Sequence, residues 1–148
     1  TPTVPSAALC EKTVRSFREV AVCSENLGIP AGEKISLAGL MKYPMISLGA
    51  NTKSYELYSR FFSERGLDYR PETEAATADQ IIPMAQADLG VGFVPEEFIK
   101  GTPGIVVIET EEPLPEREIR VVKRAEQAMS VAARELERLI FAGAGHGA

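Results

Sequence analysis

The chain has no tryptophan, one histidine and two cysteines among its 148 residues. Each scarcity removes a class of chemistry. The only imidazole, His146, stands in a terminal stretch of alanine and glycine, whereas Ser-His-Asp and Cys-His nucleophilic systems need a histidine held in packed geometry. Cys10 and Cys23 are too few for a disulfide framework, and they lack the CxxC spacing and clustered partners of a metal site. No apolar run is long enough to span a bilayer, and no secretory signal opens the sequence, so no membrane partner and a reduced, cytoplasmic setting are expected. Excess positive charge is also missing. Sixteen Lys and Arg stand against 21 Asp and Glu, a net charge of -5, which argues against a nucleic-acid surface in this stretch. Arg117, Arg120, Lys123 and Arg124 cluster, but Ile119, Val121 and Val122 interleave with them as on a solvated strand face.

What is present is the composition of a globular protein, 45% hydrophobic and 25% charged, with length for one domain or two small lobes. Residues 43–95 organise the rest. They read as two strand-turn-helix units: a strand at 45–48, a polar turn at 49–52 and a helix to Gly66; then a strand at 73–76, a helix at 77–89, Gly90 and an apolar strand at 91–95. Alternating strands and helices predict a parallel sheet, and in open sheets of that kind ligands bind beyond the carboxyl ends of the strands. The first helix carries Tyr55, Tyr58, Phe61 and Phe62 at helical spacing, the pattern of a core or subunit-interface stripe. Thr77 and Gln80 form a capping-box signature, Ile81, Met84 and Ala85 continue the apolar face, and Pro83 predicts a kink or a tight first turn.

Around this centre, residues 1–8 read as a loop and 17–23 as a strand, with Val20 and Val22 alternating against Glu19. Residues 25–34 read as a connector, and Ser36 caps a short helix through Met41. Residues 98–104 form a turn region, 105–108 a strand, 109–115 an acidic, proline-containing link and 117–124 another strand. A helix at 130–141 is capped by Ser130, with Ala133, Leu136, Leu139 and Ile140 inward. A disordered tail is expected from 142 to 148.

The chemistry concentrates at the turn after the first strand. A helix N-terminus presents backbone N–H groups and partial positive charge; here Asn51, Thr52 and Ser54 add polar side chains and Lys53 a cation, a set that suits a small carboxylate or other anion. Plain helix capping would need only one of these residues, and both readings stay open. Gly90-Val91-Gly92 begins like a dinucleotide fingerprint but lies between a helix and a strand, with Pro95 at the third glycine position. Gly90 is expected to cap the helix and Gly92 to let a strand pass close to a neighbour. No cofactor is expected. Glu96, Glu97 and the acidic residues 109–112 read as solvated surface.

The order and spacing of several runs resemble the effector-binding region of LysR-type transcriptional regulators. They are the run from Phe17 to Val22, Ile35 to Leu40 leading into Tyr43-Pro44-Met45-Ile46, Phe61-Phe62 before Arg65-Gly66-Leu67, and Ala76-Thr77-Ala78-Asp79. Leu89 to Pro95, Arg117-Glu118-Ile119 and Met129 to Arg134 continue the match. The resemblance implies an α/β fold like a type 2 periplasmic binding protein: one nearly complete parallel-sheet lobe plus the C-terminal remnant of the other. It places the end of the first lobe and a crossing strand at 1–24, the second lobe at 25–113, and the return to the first lobe at 114–141. It implies a non-catalytic module that binds a small-molecule effector in an interlobe cleft, and the chemistry of the turn makes an anionic one the expectation. The family's contact turn falls on Ser47, Gly49, Asn51 and Thr52. Phe93 would wall the cleft, and Thr1 and Thr3 would open into it.

A full member of that family also has an N-terminal helix-turn-helix and the opening elements of the first lobe, none of which stands before Thr1. DNA contact is therefore expected only through that separate domain. The connector Glu25-Asn26-Leu27-Gly28 also lacks the family's usual His-Pro. Homo-oligomers are expected, with exposed aromatic and apolar surface driving association. Two rival readings share the architecture: a solute-binding protein, and an enzyme using Glu74 or Asp79 as acid or base.

Overall fold

The computed structural model describes residues 8–30 and 32–145, so Thr1, Thr3 and His146 lie outside the described residues. Two compact units form, Arg18–Pro115 and a smaller one comprising Thr1–Phe17 with Glu116–Ala148.

The larger unit holds strands β2 (Ile46–Leu48), β3 (Thr73–Ala75), β4 (Gly92–Pro95) and β5 (Ile105–Ile108), with helices α1 (Leu37–Leu40), α2 (Lys53–Ser63) and α3 (Ile81–Gln86). Strand β1 (Leu9–Ser24) is 16 residues long, beginning eight residues before the predicted strand. β2 and β3 pair in parallel, and a parallel bridge from Met45 to Val91 ties β2 to the start of β4. β1 then pairs antiparallel with both β4 and β5. The strand-turn-helix alternation thus gives the parallel portion that the sequence predicts, and β1 makes the sheet mixed.

Two apolar clusters cover the faces of this sheet. One gathers Ala21, Cys23, Leu37, Leu40, Met45, Tyr58, Phe61, Phe62, Tyr69 and Phe93; the other gathers Val22, Ile46, Ala75, Ile81, Ala85 and Val94. Alternation along β1 sends Val20 and Val22 to one cluster and Ala21 and Cys23 to the other. Glu19, which the alternation reads as the polar face, is buried, because helices cover both sides of the strand. The aromatic stripe of α2 is core: Tyr58, Phe61 and Phe62 are buried, so it does not supply the exposed aromatic surface expected for association.

The helix ends show where glycine is required. Gly66 has φ 71°, its N–H bonds to the Ser63 carbonyl and the Leu67 N–H to the Phe62 carbonyl, the paired bonds of a left-handed helix stop. At the end of α3 the same two bonds run from Asp88 to Ala85 and from Leu89 to Met84, and Asp88 itself holds φ 63°. The left-handed residue is therefore Asp88, not Gly90 as expected. Gly90 serves a close approach instead, since a Cβ there would lie 2.4 Å from the Pro44 carbonyl oxygen. Gly92 leaves room for Ile81 of α3 rather than for a neighbouring strand. Pro83 sits at the third position of α3, and a 3-10 turn over Ala78–Gln80 precedes that helix. Thr77 makes no side-chain cap; the Gln80 side chain instead accepts from the Ala76 N–H at 3.0 Å. Glu112, read as solvated, accepts from the Leu37 N–H at the start of α1, 3.0 Å away.

In the smaller unit, β6 (Glu116–Arg124) pairs with β1, and α4 (Val131–Ala144) is capped by Ser130. The helix includes residues 142–144, which the sequence reading gave to the tail. Leu136, Leu139 and Ile140, expected inward, are 59%, 54% and 38% exposed. The described part of this unit offers α4 only one strand pair to cover, too little to bury a full apolar helix face.

Candidate functional site

β2 and β3 are in register Ser47 to Glu74 and Leu48 to Ala75, so their carboxyl ends lie side by side. The Met45 N–H at the head of β2 is held by the Glu72 carboxylate at 2.7 Å. Past Leu48 the chain turns through Gly49 to Thr52 and enters α2. Thr52 is extended at φ -96°, ψ 154°, and its hydroxyl both accepts from the Tyr55 N–H at 3.2 Å and donates to the Gly49 carbonyl at 2.7 Å. The Thr52 N–H donates to the same carbonyl at 2.9 Å. That hydroxyl is committed to building the turn, with one acceptor lone pair left over.

Gly49 is buried and its backbone is not left-handed. What it supplies is space, since a Cβ at this position would meet Glu74 Oε1 at 2.9 Å and Asn51 Oδ1 at 3.0 Å. Asn51 is exposed. Ser47, beneath the turn, is buried; its hydroxyl donates to the Leu48 carbonyl at 3.0 Å and also hydrogen-bonds with Tyr69. Burial pushes the Tyr69 hydroxyl up to about 12, with nearby Tyr55 and Glu19 adding to the rise.

Of the residues singled out in the sequence, the structure brings Ser47, Gly49, Asn51 and Thr52 together. Phe93 lies in the core, 6% exposed, stacked on Tyr58 with ring centres 4.3 Å apart and planes 12° apart. The Lys53 ammonium pairs along the helix with Glu56 at 2.5 Å. This partner and Arg60 hold the Glu56 carboxyl below its ordinary range. The positive character left at the turn is that of the helix N-terminus.

Sequence reasoning missed three groups here. Glu74 was weighed only as a catalytic acid or base, yet its carboxylate lies over Gly49. Glu19 and Tyr58 form a buried hydrogen-bonded pair. The signal for Glu19 was a lone carboxylate inside an otherwise apolar strand run, which a solvated-face reading also explains.

A separate cleft of about 570 Å³ in the smaller unit is lined by Cys10, Lys123, Arg124, Met129, Arg134 and Glu137 among others; Ser47, Gly49, Asn51, Thr52 and Phe93 are not among its lining residues. Among the described residues no group of His, Cys, Asp and Glu could hold a metal ion. No helix among them is long and apolar enough to cross a membrane.

Comparison with known proteins bears on this geometry. No curated protein sequence matches the chain. Among solved structures it superimposes on the CcmR regulatory domain of Synechocystis PCC6803 in complex with 2-PG, with a TM-score of 0.86 at 13% identity, covering 99% of this chain and 72% of that one. The effector-binding domain of QuiR in complex with shikimate gives a TM-score of 0.83 at 14% identity, covering 98% of this chain and 69% of that one. HinK, a LysR family transcriptional regulator from Pseudomonas aeruginosa, gives 0.77 at 15% identity, with all of this chain matched to 52% of the other. At these identities the superpositions establish the fold alone, one like that of a type 2 periplasmic binding protein. The sequence itself matches the LysR substrate binding domain over residues 1–144, and the chain belongs to that family.

Proposed function

We propose that this domain senses a small anionic effector at the turn where β2 runs into α2, with Gly49, Asn51 and Thr52 nearest the ligand and Ser47 supporting them from below. As a LysR-type effector-binding domain of a transcriptional regulator, the chain binds a ligand and does not turn it over. The observation that carries the site is the Ser47 to Glu74 register. It sets the carboxyl ends of two parallel strands beside the N-terminus of an 11-residue helix, where backbone N–H groups and the helix dipole favour negative charge. The small ligands named for the CcmR and QuiR domains support an effector of similar size. Phe93 acts from behind, fixing Tyr58 and thereby the packing of α2.

In this reading the domain works in the cytoplasm within a homo-oligomeric regulator that reaches DNA through a helix-turn-helix domain. Effector binding favours one arrangement of the regulator over another, a shift between populations set by differential affinity. Calorimetric titration of the domain with a panel of small carboxylates, shikimate among them, tests the site. A binder is expected whose affinity falls about tenfold in Asn51→Ala, the scale of one hydrogen bond to a charged group. Thr52→Val is expected to weaken binding and lower the melting temperature together, because its hydroxyl builds the turn. Absence of heat from every acid, or binding indifferent to both substitutions, would overturn the assignment.

A further inference from the structure

We infer that the effector carries a hydrogen-bond donor beside its anionic group, and that Glu74, together with Asn51, selects it; this rests on the effector site proposed above. The effector class is then a hydroxy acid or an amino acid rather than a plain carboxylate. Glu74 Oε1 and Asn51 Oδ1 lie 2.9 and 3.0 Å from one and the same point, the position a Cβ on Gly49 would take. Two acceptor oxygens therefore converge over the turn. A glycine at 49 is not demanded by the backbone, whose φ is not positive; its effect is to make room for the Glu74 and Asn51 side chains.

Among the described residues no side chain donates to either oxygen. The cation closest in sequence, Lys53, is turned away to Glu56. Glu74 is exposed and lies at the strand end rather than in the core, so packing does not explain a carboxylate there. Set beside a helix N-terminus, it gives the turn two adjoining poles: amides for an anion, and a carboxylate with an amide oxygen for a donor. A bare carboxylate ligand would meet Glu74 as a like charge. One bearing a hydroxyl or ammonium next to its carboxylate would satisfy both poles at once.

Matched acids separate this inference from the reading beneath it. Succinate, malate and aspartate differ by a hydrogen, a hydroxyl and an ammonium on one carbon; benzoate and 3-hydroxybenzoate form an aromatic pair. Titrated into the domain, at least one donor-bearing acid is expected to bind about tenfold more tightly than its plain counterpart, the range of a charge-assisted hydrogen bond. Glu74→Ala is expected to abolish that preference. Glu74→Gln should spare a hydroxyl preference and remove an ammonium preference, which tells the two donors apart. Gly49→Ala provides a second route, because its methyl must displace the flexible Glu74 side chain; it should erase the preference while the domain stays folded. Equal binding of plain and donor-bearing acids, or a preference that survives Glu74→Ala, overturns the inference and leaves the anion site standing. If no acid of either set binds, the anion site fails and this inference with it.

Discussion

The Tyr58 hydroxyl, on α2, donates to the Glu19 carboxylate, on β1, where both side chains are almost wholly out of solvent at 4% and 7% exposure. The bond ties the helix that begins at the proposed effector turn to the strand that runs on through Ser24. Tyr58→Phe keeps the ring that stacks on Phe93 and removes only the donor. A stability loss of about 1–3 kcal/mol in urea unfolding is expected, since a buried carboxylate loses a hydrogen bond. Combined with Glu19→Gln, the loss should be less than additive, as for two residues sharing one interaction. Strict additivity would show that the pair is not coupled.

Tyr69 makes a pH prediction. Its hydroxyl titrates near about 12 in the folded domain against an ordinary value of 10.0, raised chiefly by burial. A raised value means the unfolded chain gives up the proton first. The stability associated with neutral, buried Tyr69 is thus fully present below pH 10 and is lost as pH rises towards 12. Unfolding free energy measured at successive pH values above 9 should fall along this course, and Tyr69→Phe should flatten the fall. The phenolate absorbance gained on unfolding the domain at pH 11 should be smaller in Tyr69→Phe than in the parent, because the parent releases a phenol that burial had kept protonated. An equal gain in the two proteins would contradict the assignment.

Periodicity and caps made most of the larger unit legible. Ser36 is the cap that the sequence indicates, Thr52 is the one of the candidates Asn51 and Thr52 that caps α2, Gly66 is the helix stop, and the aromatic spacing of α2, open in the sequence to a core or an interface, marks a core face. Local chemistry fixes such features, so local sequence shows them. The antiparallel pairing of β1 did not show, because strand partners are set by contacts tens of residues apart. Asp88 taking the left-handed position ahead of Gly90 escaped for a related reason: Gly90 is claimed by the distant Pro44 carbonyl. At the site, the turn 49–52 was readable as a helix N-terminus. The approach of Glu74 was not, since it depends on the parallel register of β2 and β3.

Phe93 tests how far a core role goes. It is stacked on Tyr58 and lies 6.1 Å from Phe62 between ring centres. Phe93→Ala is expected to destabilise the domain by about 3–5 kcal/mol, the range for truncating a buried aromatic. Phe93→Leu should recover much of that loss, because it refills most of the volume. If Phe93→Ala left stability within about 0.5 kcal/mol of the parent, as surface substitutions usually do, the ring would be a ligand wall and not a core residue.

Gly90 and Gly66 both have positive φ, 144° and 71°, yet substitution should affect them very differently. At Gly66 nothing lies within 4 Å of an added Cβ, so alanine incurs only the left-handed backbone, about 1–2 kcal/mol. At Gly90 the Cβ would press on the Pro44 carbonyl oxygen and carbon at 2.4 and 2.7 Å. That carbonyl accepts from the Val91 N–H at 2.8 Å, and the Ile46 N–H donates to the Val91 carbonyl at 2.8 Å. Relieving the clash therefore pulls apart the junction of β2 and β4 beneath the proposed effector turn. Gly90→Ala is expected to lose about 3 kcal/mol or more, as backbone strain and overpacking combine, and to weaken effector binding with it. Equal losses for the two variants in parallel urea titrations would mean that the Pro44 to Val91 contact does not hold the strands together.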